Sequence, residues 1–116
     1  MTAYELEQRS DDDSRIVVFA VTGELDLTNA HDFEKRVVGV LSNDGASLVL
    51  DLTRVAFIDS AALHVLFRTA RELSKDRFGL LLEAASAISR TLEIVGISEV
   101  ATVGRSLDDL SSALSA

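Results

Sequence analysis

Residues 47–67 read "SLVLDLTRVAFIDSAALHVLF", and the fold turns on how this stretch divides. Its first part, Ser47 to Leu52, is an apolar run broken only by Asp51, the pattern of an inner strand covered on both faces. From Ser60 the period changes. Leu63, Leu66, Phe67, Ala70 and Leu73 fall at helical spacing, while Arg68, Arg71, Glu72 and Lys75 take the other side. A strand therefore stops and a helix begins ahead of Ser60, with Asp59 and Ser60 at the junction. Both residue types accept hydrogen bonds from unpaired first-turn N–H groups, so helix capping is the plain reading against which any chemistry is weighed.

Working outward, the same alternation repeats. Tyr4 to Gln8 reads as a short edge strand, "SDDDS" (10–14) as a turn, and "RIVVFAVTG" (15–23) as a β-branched buried strand. Thr28 is positioned to cap a helix carrying Ala30, Phe33, Val37, Val40 and Leu41, which Asn43-Asp44-Gly45 stops. After the central helix, Phe78-Gly79 is a break and "LLLEA" (80–84) a strand. Ser86 caps a helix with Ile88, Leu92 and Val95 inward up to Gly96. "VATV" (100–103) is a last strand, and Ser106 starts a terminal helix with Leu107, Leu110 and Leu114 inward. Strands alternating with helices predict an α/β fold with right-handed crossovers: a small, mixed, mostly parallel sheet packed with about four helices. No repeat or linker interrupts the pattern, so a single domain over residues 1–116 is expected.

Composition narrows the function. Hydrophobic residues make up 47% and charged residues 26%, an ordinary globular balance. The absence of cysteine excludes disulfides and thiol chemistry and fits a reducing compartment. The N-terminal residues lack a signal-peptide pattern and no apolar run reaches the ~20 residues of a membrane span, so a cytoplasmic protein without membrane insertion is expected. A formal net charge of −8 repels phosphate backbones, which disfavours direct nucleic-acid binding. A protein partner or a small molecule remains.

In open α/β sheets function gathers at the carboxyl ends of the strands, here Glu24–Thr28, Thr53–Ser60 and Ala84–Ser86. A catalytic serine is a poor fit: Ser60 lacks a G-x-S-x-G elbow, and no acid is evident to orient His64. A metal site is not expected, since His31 and His64, the only histidines, belong to different helices. The six glycines form no nucleotide-binding motif, and no cofactor is expected. A phosphoacceptor-aspartate receiver resembles the chain in size and class, but such receivers are expected to supply a lysine after the last strand. The only lysines here, Lys35 and Lys75, lie in helices or at their ends. Phosphorylation of Ser60 by a separate kinase demands less. A phosphate at a helix N-terminus meets unpaired N–H groups and the positive end of the dipole, so the fold survives while the added charge changes any docking face built there.

"GELD" (23–26) after a β-branched strand, "LVLDLTRVAFIDSAAL" (48–63) and "ISRTLEIVGI" (88–97) resemble, in order, a STAS domain of the bacterial anti-sigma factor antagonists. The resemblance runs from about Tyr4 to Leu114, and its most specific piece is Phe-Ile-Asp-Ser after the apolar Leu-Asp-Leu. It implies a non-enzymatic regulator of transcription that works by partner switching. The unphosphorylated form binds an anti-sigma factor that is itself a serine kinase, freeing a sigma factor; phosphorylation at Ser60 releases it, and a serine phosphatase resets the cycle. By the resemblance Asp26 matches a position that contacts the partner; Thr28, Asp59, Ala61, Ala62 and His64 are expected on the same partner-binding face of a monomer or weak dimer, with His64, which departs from the small residue common there, either tuning partner choice or merely exposed. A STAS subunit of a stressosome or a lipid-transport complex is the alternative. Ala61-Ala62 stands where family members commonly have a small residue and then glycine, so an added methyl at 62 is expected to bear on kinase recognition.

Overall fold

A computed structural model describes residues 4–10, 16–41 and 46–114. The expected turn at "SDDDS", the helix stop at Asn43-Asp44-Gly45 and the side chains of Val40 and Leu41 lie outside the described residues. Five strands form one sheet in sequence order: β1 (Tyr4–Ser10), β2 (Ile16–Leu25), β3 (Ser47–Ile58), β4 (Phe78–Leu81) and β5 (Thr102–Gly104). β1 is antiparallel to β2 and every other pairing is parallel. The helices are α1 (Ala30–Leu41), α2 (Ser60–Leu73), α3 (Ala87–Ile94) and α4 (Leu107–Ala113). The mixed, mostly parallel α/β architecture, with four helices among the described residues, is thus the one the strand–helix alternation predicts.

The sheet is covered unequally. Phe19, Val21, Leu48, Leu50, Phe78 and Leu80 join residues of α1, α2 and α3 in one large buried cluster. On the opposite face Ile16, Val18 and Val49 meet Leu110 and Leu114, so α4 closes a second, smaller core. α4 sits close because β4 and β5 present bare backbone beneath it. A Cβ at Gly79 would stand 3.1 Å from Leu114 Cδ1, and one at Gly104 2.9 Å from Leu110 Cγ.

Four expectations need correction. β3 does not end at Leu52 but runs on through Ile58, because the continuation of β2 from Thr22 to Leu25 gives Arg54–Ile58 a ladder to pair with. Two register shifts each place an extra residue on β3: Ala20 pairs with Asp51 but Thr22 with Arg54, and Gly23 with Val55 but Glu24 with Phe57. Such bulges break the two-residue alternation by which a strand is recognised in sequence. Phe78-Gly79, read as a break, opens β4; the helix stops earlier, at Leu73, followed by Ser74 at φ 65° and a 3-10 turn over Lys75–Arg77. A second 3-10 turn, Ile97–Glu99, delays β5 to Thr102. Val95 and Leu107, expected inward, are exposed, since the short α3 and α4 bury only Ile88, Leu92 and Leu110.

The buried stripe of α2 is also rotated by about one residue from its expected face. Ala62, Val65, Leu66, Thr69, Ala70 and Leu73 are buried, whereas Leu63 and Phe67 are only partly covered. Thr69 tolerates burial because its hydroxyl donates to the Val65 carbonyl over 2.8 Å.

Candidate functional site

β2 and β3 end side by side, and the site is built from the two segments just beyond them: the Asp26–Asn29 loop leading into α1, and the Asp59–Ser60 step into α2. The loop is held by its own polar residues. Asp26 Oδ1 accepts from the Thr28 amide at 2.9 Å and from the Thr28 hydroxyl at 2.5 Å, forming a local Asx turn. Thr28 is not the cap of α1, because the helix begins at Ala30, one residue beyond the reach of a Thr28 cap, and the Thr28 hydroxyl turns back to donate to Asp26. Asn29 stands in that place instead, its carbonyl accepting the first helical bond from Phe33. The Asn29 side chain is buried and reaches back to β2, accepting from the Asp26 amide at 3.0 Å and donating to the Glu24 carbonyl at 2.8 Å. A buried amide satisfied on both atoms locks the loop against the strand it leaves.

Asp59 joins the two halves. Its Oδ1 accepts from the Ala62 amide at 3.1 Å, which caps α2, and its Oδ2 accepts from the Leu27 amide at 2.9 Å, across the gap between the strand ends. Its own amide donates to the Leu25 carbonyl. The carboxylate thus serves one backbone donor from the loop after β2 and one from the first turn of α2.

Ser60, the first residue of α2, is exposed, and among the described residues nothing pairs with its hydroxyl. Beside it Leu27 is 77% exposed, an apolar side chain held in solvent between two turn-forming polar residues. Ala61 is half-buried and His64 exposed, whereas Ala62 is 0% exposed and part of the main core. This corrects the expectation for Ala62: its methyl points beneath the site, so it fills the core under α2 and offers no surface to a partner.

A groove of about 230 Å³ runs between α1 and α2, walled by Leu27, His31, Ala61, His64 and the Glu34–Arg68 pair. Arg68 Nε donates to Glu34 Oε2 at 2.6 Å, an ion pair that joins the two helices and raises Arg68 above its ordinary range, the Glu34 bond being the main cause. The two histidines thus share one groove although they belong to different helices, which sequence spacing did not reveal. Among the described residues no group of three or more His, Asp and Glu side chains is arranged to hold a metal ion. Leu27, Asn29, His31, Glu34 and Arg68 are the site residues that sequence reasoning missed. The one available signal was Leu27, an apolar residue inside a polar loop and outside any helical or strand period.

Among the described residues no helix is long and apolar enough to cross a membrane. The chain is 26% identical over 99 residues to the anti-sigma-F factor antagonist RsfB of Mycobacterium tuberculosis, a match covering 84% of this chain and 80% of that protein. Its structure resembles that of an anti-sigma factor antagonist from Mycobacterium paratuberculosis, with a TM-score of 0.83 and 26% identity over 97% of this chain and 94% of the other. It shares its fold with the Bacillus cell fate determinant SpoIIAA in the phosphorylated form, at a TM-score of 0.62 and 18% identity over 92% and 95% of the two chains. The STAS domain family model matches residues 6–110, from β1 into α4, and the chain belongs to that family.

Proposed function

We propose that this chain is an anti-sigma factor antagonist, a regulatory binding protein rather than an enzyme, and that Ser60 is the residue on which its partner, an anti-sigma factor with serine kinase activity, acts. The observation that carries the reading is the exposed Ser60 hydroxyl on the first turn of α2, without a partner among the described residues. It directly follows an Asp59 whose carboxylate is committed to holding the two loops together. The similarity to a protein named as an anti-sigma-F factor antagonist supports the partner class. The docking face comprises Asp26, Leu27, Thr28, Ser60, Ala61 and His64, with Asp59 holding it in shape.

In the transfer the Ser60 oxygen attacks the terminal phosphorus of ATP, the bond to the β-phosphate oxygen breaks, ADP leaves, and the hydroxyl proton passes to a base on the kinase. The product carries about −1.5 to −2 charges beside Asp59. A phosphate desolvated in a complex without a partner costs several kcal/mol, and about 1.4 kcal/mol is tenfold in affinity, so the modification suffices to dissociate the complex. A serine phosphatase then restores the hydroxyl.

The test is intact-mass measurement after incubation with the cognate kinase and ATP. One phosphoryl group is expected on the wild-type chain and none on Ser60→Ala; a group that persists in Ser60→Ala would sink the assignment. In a binding assay Ser60→Asp weakens the complex while Ser60→Ala retains it. Equal affinities would point to a STAS scaffold subunit instead.

A further inference from the structure

We propose that His64 is the intramolecular partner of a phosphate on Ser60, and that the pair draws the phosphate onto the α1–α2 groove, closing the surface that the partner uses. The inference rests on Ser60 as phosphoacceptor and adds where the phosphate goes once it is there.

The start of α2 has few donors left to give. A phosphate at a helix N-terminus ordinarily engages first-turn amides. Here the Ala62 amide is already taken by Asp59 Oδ1, and the Leu63 amide by the Asp59 carbonyl. The Asp59 carboxylate adjoins Ser60 and repels a second anion. Of the amides at the start of α2, those of Ser60 and Ala61 remain for the phosphate, and the Asp59 charge beside them favours a further contact with a cation along the helix.

One turn along stands a residue able to receive it. Ser60 and His64 are four residues apart on one 14-residue helix, and both are exposed. Side chains at this spacing share a face, and because helical side chains lean toward the N-terminus, that of His64 leans back toward residue 60. An anion at i with a cation at i+4 is the favoured order. Protonated imidazole is a donor on both nitrogens, and a charge-assisted bond to a phosphate oxygen is among the strong hydrogen bonds.

The charged groups facing His64 leave this pairing open. From α1 the groove presents His31 and Glu34, and from α2 Arg68. The Glu34 carboxylate is engaged by Arg68 at 2.6 Å and does not compete for the imidazole as a free anion. Asp59, at the helix start, spends both oxygens on backbone amides. His31 adds a second donor on the opposite wall. A phosphate held by His64 lies over Ala61 toward Leu27, so phosphorylation removes the partner by covering the groove as well as by adding charge.

An imidazole near ~6.5 and a phosphoserine near ~6 titrate over the same range, so the two ionisations are coupled if they touch. The experiment uses the full chain with phosphoserine installed at position 60 during translation, independent of any kinase. Imidazole C–H resonances are followed by NMR against pH in the phosphorylated and unmodified chains, and the phosphorus resonance in the phosphorylated chain and its His64→Gln variant. The His64 midpoint is expected to rise by about half a unit, roughly threefold in proton affinity, and more than that of His31. Reciprocally, the phosphate midpoint lies lower with His64 present than with glutamine. An unchanged His64 midpoint, or a phosphate midpoint indifferent to His64→Gln, overturns the proposal. Should the kinase leave Ser60 unmodified, the mass measurement reports that separately, since this titration does not depend on who installs the phosphate.

Discussion

The Leu27 amide donates to Asp59 Oδ2 over 2.9 Å, and this bond holds the loop after β2 against the start of α2. Because the other oxygen of Asp59 caps α2, one carboxylate sets the helix start and the neighbouring loop together. The exposed Leu27 and Ser60 side chains are thereby presented at a fixed spacing.

Asp59→Ala removes both bonds. Loss of the cap and of the Leu27 tie is expected to cost about 1–2 kcal/mol of stability, with Asp59→Asn intermediate. Chemical denaturation measures the loss. Hydrogen exchange locates it, because the Leu27 and Ala62 amides should exchange faster in the variant while those of β4 are unaffected in rank; unchanged exchange at both amides would refute the clasp.

Gly104→Ala is expected to be costly for a steric reason. The added Cβ would stand 2.9 Å from Leu110 Cγ, and Leu110 is fully buried. Overpacking of this kind costs about 1–3 kcal/mol. Gly39→Ala is the counterpart on the exposed side of α1, where nothing lies within 4 Å of the new methyl, so helix propensity raises stability by up to ~1 kcal/mol. Opposite shifts in denaturation midpoint are the expected result.

Tyr4 makes the fold sensitive to alkali. Its hydroxyl donates to the Asp32 carboxylate, which also pairs with Arg36 at 3.3 Å, and the Arg36 guanidinium lies 5.9 Å from the centre of the Tyr4 ring. Burial first, and the Asp32 bond second, push Tyr4 up to about 12. The unfolded chain loses this proton near ~10, so between there and about 12 the native state binds more protons and stability falls as pH rises. Allowing for solvent screening, the loss is on the order of 1 kcal/mol. Denaturation midpoints measured upward from about pH 9 should decline more steeply in wild type than in Tyr4→Phe, which lacks the ionisation.

Helix starts were the most legible part of the chain, for a local reason. The Asp59, Ser86 and Ser106 side chains each accept from an amide three residues on, a contact that involves only neighbours in sequence. Gly96, at φ 80°, ends α3 by the same local logic. Thr28 failed this reading because the Asp26 turn delays the helix by one residue, so that Asn29 and not Thr28 takes the cap position. The bulged half of β3 was hidden for a different reason: Arg54–Ile58 is a strand only because β2 supplies a partner for it.

The site divides in the same way. By itself the sequence determined the α/β order, the Asp59-Ser60 step at a helix start and an acidic balance of charge, since capping, periodicity and net charge are properties of short segments or of composition. Tertiary structure alone decided that Asp59 ties Leu27 to α2, that Ala62 faces the core, and that His31 and His64 share one groove. These depend on how α1 and α2 are rotated against the sheet. That rotation results from packing between residues far apart in the chain, which no local pattern encodes.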